Sequence, residues 1–257
     1  MEIKERINQL DWADITAGMN NRGYALIKNV LTNEECDSLA AQYTDDQLYR
    51  KTIVMERHHY GKGEYKYFKY PLPALVQQLR ESVYPRLAPI ANHWMQLLNK
   101  EQRFPDTLDE LLQHCHEQEQ LRPTPLILQY AKGGYNAMHQ DLYGEVFFPM
   151  QLVFILDEPG VDYDGGEFIL IEQKPREQSR AMVLKPAKGD MLLFTTSYRP
   201  AKGSKSYHRV NMKHGIGEVT EGKRRSMGII FHDAKWYSIA RKRPLNGAAI
   251  MNTKNKI

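Results

Sequence analysis

The chain has 257 residues, of which 42% are hydrophobic, 10% aromatic and 26% charged. That is enough apolar material to fill the core of one large domain, and it excludes an intrinsically disordered chain. The formal net charge of +4 is compatible with an anionic or nucleic-acid partner without requiring one.

Two cysteines, Cys36 and Cys115, lie far apart and outside any Cys-x-x-Cys pair, which argues against a disulfide framework and against structural zinc. The first residues, Met1 to Ile7, are charged and have no apolar stretch behind them, so no secretory signal is expected. No run approaches the roughly 18 apolar residues that a membrane helix needs. The expectation is a cytoplasmic protein in a reducing compartment, with no membrane partner.

The first hundred residues read mostly as helix. Gly23 to Ile27 is short, apolar and opened by glycine, which predicts a strand. Thr32-Asn33-Glu34-Glu35 is a capping box: the threonine caps a helix while Glu35 reaches back to the cap's own N–H. From Pro73 to Leu98 apolar residues recur at helical spacing through Leu75, Leu79, Val83, Leu87, Ile90 and Trp94. Pro73 suits a first turn, whereas Pro85 and Pro89 predict a kink or a division. Another helix is expected over 105–120. There His114 and His116 flank Cys115, but i,i+2 spacing on a helix separates their faces, so they read as surface residues rather than a metal cluster.

After Pro125 the pattern changes to short apolar segments separated by glycine-rich turns. Strands are predicted over Leu126–Ala131, Met150–Leu156, Glu167–Ile171, Ala181–Leu184, Asp190–Thr195, Tyr207–Val210 and Ser226–Phe231. Regular short strands with such punctuation indicate a β-sandwich or barrel. The expected architecture is mainly β with flanking helices (α+β) in a single domain. Residues 1–122 are its largely helical support, 123–235 its β core and 236–257 a C-terminal segment.

His139-Gln140-Asp141 sets an imidazole and a carboxylate on one side of an extended chain. Two histidines and one carboxylate on one face of a metal leave three positions open, as non-haem Fe(II) requires for a chelating cosubstrate and O2. Alone the motif is weak, because a chain with nine histidines contains a chance His-x-Asp in roughly half of cases. Further along, His214 precedes Arg224 by ten residues with a glycine-centred turn between, and Ser226 shares a strand face with Arg224. A guanidinium fork beside a hydroxyl suits a carboxylate. The competing reading is an arginine on a basic surface hairpin, which Lys223 and Arg225 fit.

From Tyr130 to Phe231 the sequence resembles the Fe(II)/2-oxoglutarate-dependent oxygenase superfamily on its prolyl-hydroxylase-like side, nearest an uncharacterised bacterial family of that group. The resemblance rests on ordered pieces: Tyr130 to Tyr135 before His139-Gln140-Asp141, then Asp164-Gly165-Gly166-Glu167-Phe168, Pro186 to Asp190 leading into Leu193-Phe194, His214, and Arg224-Arg225-Ser226. It implies a double-stranded β-helix (jelly-roll) core. It implies Fe(II) on His139, Asp141 and His214, and 2-oxoglutarate held by Arg224, Ser226 and Tyr130. The implied reaction consumes O2, releases succinate and CO2, and hydroxylates a C–H bond. His208-Arg209-Val210 has a similar local form; His214 is preferred because its ten-residue offset from Arg224 matches the family pattern.

The substrate is the open part. From Ser197 to Ile257 fourteen basic residues face only Glu218, Glu221 and Asp233, and Lys174, Arg176 and Arg180 add to a cationic entrance. A polar or anionic substrate follows, either a small molecule or a macromolecule. An AlkB-like nucleic-acid demethylase is the rival reading. That group carries asparagine and a second arginine where this chain has Ser226 and Ile230, so nucleic acid is not favoured, although Tyr198, Tyr207, Trp236 and Tyr237 could stack on bases. A non-catalytic metal-binding β-helix module and a cupin-like metalloenzyme are the remaining alternatives.

Overall fold

The computed structural model describes residues 1–142 and 144–235. The C-terminal segment 236–257, with Trp236, Tyr237 and the basic stretch from Arg241, lies outside the described residues.

The N-terminal helices form where their caps direct. Asp11 accepts from the N–H groups of Ala13 and Asp14 to start α2 (Trp12–Arg22), after a first short helix α1 (Ile3–Asn8). Strand β1 (Tyr24–Ile27) follows, and the expected capping box at Thr32 opens α3 (Asn33–Ala41). A first correction falls in the next stretch. Residues 49–68 form three strands, β2 (Tyr49–Val54), β3 (Gly61–Lys62) and β4 (Glu64–Phe68), in a region expected to be mostly helix. Their charged side chains hide the alternation. Lys66 is buried only because its ammonium meets Asp46 at 2.7 Å and lies over the Tyr43 ring.

Of the kink or division expected at the prolines, the division is absent: α4 (Ala74–Leu97) is a single helix that runs through both Pro85 and Pro89. The two prolines are four residues apart on its exposed face. The carbonyls they leave without an N–H partner therefore face solvent, where water satisfies them. The opposite face buries Val76, Leu79, Val83, Leu87 and Trp94. Next, α5 (Leu108–Glu117) starts at a second capping box, Thr107 with Glu110. His114 and His116 sit on its exposed side, with Cys115 buried between them. His116 has a partner all the same, the Asp233 carboxylate at 3.2 Å.

The remaining strands are β5 (Leu126–Ala131), β6 (Tyr135–His139), β7 (Met150–Ile155), β8 (Tyr163–Gly165), β9 (Phe168–Gln173), β10 (Arg180–Leu184), β11 (Met191–Thr195), β12 (Tyr198–Lys202), β13 (Tyr207–Ile216) and β14 (Val219–Ile230). Each predicted strand is present, but β13 and β14 run far beyond their expected ends. Glycines had marked those ends as turns. Gly215 instead lies inside β13 where β6 approaches so closely that a Cβ would meet the Asn136 carbonyl at 2.6 Å.

The strands make two antiparallel sheets, a jelly-roll. The larger has the order β1-β11-β7-β14-β5-β4-β2 with β8 beside β14; the smaller is β10-β9-β13-β6-β3 with β12 beside β13. Alternate residues of the larger sheet (Ile127, Leu152, Phe154, Leu193, Met227, Ile229) pack against the helices. The other set faces the smaller sheet across a second core of Tyr130, Val153, Phe168, Leu170, Phe194 and Met212. The N-terminal strands are thus part of the sheets: β4 pairs with β5, and β1 pairs with β11. Among the described residues no helix is long and apolar enough to cross a membrane.

A buried ionic cluster ties the end of β14 to the helices. Arg80 is fully buried and donates to the Asp233 carboxylate (2.8 Å), the Phe231 carbonyl (2.7 Å) and the Tyr70 hydroxyl (2.9 Å). Removing one partner of such a pair strands the other charge, so Arg80→Met is expected to lower unfolding free energy by about 3–5 kcal/mol in urea titrations.

His232, in the same stretch, is buried with its Nδ1 accepting from the Phe148 N–H at 3.1 Å. Burial, and then the Arg80 charge, push its pKa down to about 4. The unfolded chain therefore takes up this proton first as pH falls from about 6.5 to about 4, and stability declines over that window. Replacing the group with a non-titrating one, His232→Gln, is expected to remove up to ~3 kcal/mol of that decline. Unfolding free energy measured across the window for both proteins checks this through its slope, independently of the variant's absolute stability.

Candidate metal centre

The ladder between β6 and β13 sets His139 directly opposite His214. Residues opposite each other share a face, and this face is the interior. The two imidazole rings lie 4.2 Å apart between centroids. Asp141, two residues beyond the end of β6, brings its carboxylate between them, with Oδ1 3.6 Å from His139 Nε2 and Oδ2 3.2 Å from His214 Nε2. One ligand atom from each of the three residues falls within 4.8 Å of the others.

Neighbouring groups hold these three in place. His139 Nδ1 lies 2.7 Å from the Ala137 carbonyl; donating there, it leaves the Nε2 lone pair facing Asp141. Gln140 turns the other way and donates to the carbonyls of Ser197 and Met212, both at 2.7 Å, which fixes the loop between His139 and Asp141. Gln151 reaches in from β7 and donates to Asp141 Oδ2 at 2.8 Å. Burial works to raise the Asp141 pKa, but the hydrogen bond and charge of His214, with His139 and Gln151, hold it well below the usual carboxylate range. Burial, followed by His139, lowers His214 against the pull of Asp141. The result at neutral pH is an ionised carboxylate and a neutral imidazole, the forms that bind a divalent metal.

On β14 the alternation of the strand separates two adjacent arginines. Arg225 faces outward and grips Asp157, with Nε on Oδ2 at 3.0 Å and Nη2 on Oδ1 at 2.6 Å. Arg224 faces inward, is 1% exposed and makes no ion pair among the described residues. Its Nη1 donates to the Ser226 hydroxyl at 3.2 Å, while its Nε is buried with no hydrogen-bond partner. The rings of Tyr130 and Tyr163 flank the guanidinium at 5.8 Å each. Burial pushes the Tyr130 phenol up to about 12, with Arg224 and the Asn136 amide opposing it, so it stays a neutral hydrogen-bonding group. Gly166 makes room for the arginine: its φ is +62°, and a Cβ would meet Arg224 Cδ at 2.8 Å.

A cavity of about 440 Å³ connects these groups, lined by His139, Asp141 and His214, by Tyr130 and Ser226, and by an aromatic wall of Tyr60, Tyr65 and Tyr67. Arg224 lies behind Ser226 and is not on its surface. Tyr65 and Tyr67 meet edge to face at 5.4 Å, and Arg50 sits 4.5 Å from the Tyr67 ring. Gln151 and the tyrosines of β4 belong to no motif in the sequence. Their alternation in Glu64-Tyr65-Lys66-Tyr67 was the available clue. His208 lies elsewhere: it pairs with Ala201 in the β12–β13 hairpin, six residues or roughly 20 Å along the strand from His214.

The donor set of two imidazoles and one carboxylate with open positions fits Fe(II). The unpartnered Arg224 Nε beside a hydroxyl fits the carboxylate of 2-oxoglutarate, with O2 as the remaining reactant. The fold and this pocket define a non-haem iron oxygenase. Residues 63–234 match the family model described as "Oxygenase, catalysing oxidative methylation of damaged DNA", and the chain belongs to that family. It is 44% identical over 167 residues to the uncharacterised proteins MT2286 and Rv2227 of Mycobacterium tuberculosis, covering 65% of this chain and 72% of each relative. Among solved structures it resembles a Pseudomonas putida prolyl-4-hydroxylase (TM-score 0.53, 13% identity, 87% of this chain and 100% of that one). It also resembles a 2OG-Fe(II) oxygenase family oxidoreductase from Burkholderia pseudomallei (0.53, 15%, 89% and 95%). A third likeness is to a Trichoplax adhaerens prolyl hydroxylase in complex with a hypoxia inducible factor peptide fragment (0.55, 13%, 90% and 92%).

The isolated guanidinium has an energetic consequence. A buried charge without a counter-ion is unfavourable, and an apolar side chain of similar length removes that penalty. In ligand-free protein Arg224→Met is expected to leave unfolding free energy unchanged or to raise it by about 1 kcal/mol, read by urea unfolding. A loss of several kcal/mol would show that the guanidinium is already compensated.

Proposed function

We propose that this oxygenase acts on nucleic acid, oxidising a damaged or alkylated base. The supporting observation is the cavity that joins the His139–Asp141–His214 cluster to a wall of Tyr60, Tyr65 and Tyr67. A planar base extruded from its strand stacks on such a wall with one edge towards the cluster. The family's description, which names damaged DNA, supports the same substrate class. This favours the nucleic-acid reading over the unspecified small anion. It does so without the AlkB arrangement, since Ser226 bonds to Arg224 and Ile230 lines the cavity.

In this reading His139, Asp141 and His214 hold Fe(II), which with 2-oxoglutarate and O2 supplies the oxidation: succinate and CO2 leave, and one oxygen atom enters a substrate C–H bond. Arg224 and Ser226 bind the far carboxylate of 2-oxoglutarate, and Tyr130 donates from its phenol beside them. Gln140 and Gln151 keep the ligating side chains in register. Val153, Phe168 and Phe194 give the pocket an apolar lining beside these groups, and low-dielectric surroundings strengthen each of these polar contacts.

Purified protein with Fe(II), ascorbate and 2-oxoglutarate is expected to release succinate faster when single-stranded oligonucleotides carrying N-methylated bases are added. Formaldehyde should appear in step, because a hydroxylated N-methyl group breaks down to it. No stimulation by any methylated strand would sink the nucleic-acid reading. Arg224→Ala is expected to weaken 2-oxoglutarate binding about 30-fold or more, measured by calorimetry, because it removes a charge-assisted contact in a buried site. Wild-type affinity in that variant would refute the assigned role.

A further inference from the structure

A second, larger cleft of about 990 Å³ lies outside the cavity just described. It is formed by the β9–β10 connection (Lys174, Arg176), the β12–β13 hairpin (Lys202, Tyr207, His208) and the ends of α2 and α4. The ladders show which end of the barrel this is. His139 closes β6 opposite His214, and β13 continues past that point to Tyr207. Beside it, β9 reaches Gln173 opposite Asn211 before turning back. The hairpin and the β9–β10 connection therefore project from the same end of the barrel as the metal-ligating cluster. Along β13, His208 and His214 share the inner face about 20 Å apart.

The charge of this cleft is one-sided. Lys174, Arg176, Arg199 and Lys202 line it, and Lys205 and Arg209 stand on the same hairpin. Two carboxylates oppose these six. Glu172 is buried and bound to the Arg199 guanidinium at 2.5 Å, while Glu177 is 3.7 Å from Lys174. Arg176, Lys202 and Lys205 are exposed and make no ion pair among the described residues. Tyr207, 39% exposed, presents a ring among them. Cations following a groove with an interspersed aromatic ring are what a single strand's phosphates and bases engage.

Resting on the nucleic-acid reading above, we propose that this cleft is the track for a single strand's phosphate backbone, holding the nucleotides that flank the base delivered to the metal centre. The cluster is recessed, with Asp141 9% and His214 6% exposed, and a single strand presents an unstacked base to it without the cost of unpairing. A base still stacked in a duplex does not reach them.

The test is the affinity of a fluorescently labelled, mixed-sequence single-stranded DNA, followed by anisotropy across a salt series. Arg176→Glu with Lys202→Glu is expected to weaken binding at least tenfold at low salt. It is also expected to reduce the slope of log affinity against log salt by roughly 1.4, the share of two phosphate contacts. Lys4→Glu with Arg86→Glu, at exposed positions of α1 and α4 that do not line the cleft, changes net charge equally and is expected to leave the slope unchanged. Both variants should keep wild-type 2-oxoglutarate binding and uncoupled succinate release. An equal loss in the two variants, or no binding by the wild type, overturns the track. Duplex binding as tight as single-strand binding and equally sensitive to the cleft variant overturns its single-strand character. Turnover of a methylated strand with an unchanged slope in the cleft variant sinks the track and leaves the nucleic-acid reading standing. Slope-dependent binding without turnover of any methylated strand supports the track and sinks that reading instead.

Discussion

Two imidazoles and a carboxylate sit within a few ångströms of one another inside this protein because one antiparallel ladder brings them there. Strand β13 is hydrogen-bonded on both sides, to β9 and to β6, and that double constraint puts His214 opposite His139. A slip of one residue would turn every side chain of the strand to the other face. Much else depends on the same register. The inner face of β13 carries Val210 and Met212 into the core between the sheets, and its far half pairs with β12 to build the hairpin beside the cationic cleft.

The second set of polar groups is held by a different strand, and its organisation is the reverse of the first. The cluster at Asp141 is compensated by its own neighbours, with His214 and Gln151 supplying hydrogen bonds to the buried carboxylate. The Arg224 guanidinium has hydroxyl neighbours but no carboxylate partner among the described residues, although Arg225 next to it is bound to Asp157 through two nitrogens. The difference follows from strand alternation, which sends one arginine outward to the Asp157 carboxylate and the other into the barrel. A site that keeps a buried cation short of partners is preorganised for an anion, because little has to be rearranged when one arrives.

Much of this was legible in the sequence, for identifiable reasons. The β core was readable where short apolar segments are separated by glycine-rich turns, and the capping box at Thr32 announced its helix directly. The meeting of His139, Asp141 and His214, and of Arg224 with Ser226, was readable because these residues occur in a fixed order, although His139-Gln140-Asp141 taken alone carried little weight. What stayed hidden depended on tertiary contacts. Strands β2 and β4 carry lysines and arginines whose partners, such as Asp46 for Lys66, are remote in sequence. The continuity of α4 through two prolines depends on both facing water. The cleft is assembled from the β9–β10 connection, the β12–β13 hairpin and two helices, and no local pattern joins those segments.

If the proposed cosubstrate pairs with the buried Arg224 guanidinium, its binding would also link the protein's abundance to metabolism. Any small carboxylate that pairs with it binds the folded chain and not the unfolded one, so folding gains RT ln(1 + [L]/Kd) from that ligand's pool. When the pool is depleted, a larger fraction of molecules visits the unfolded state and is exposed to proteolysis. A cell rich in the cosubstrate would then retain more of the enzyme as well as run it faster, with no separate regulatory site required.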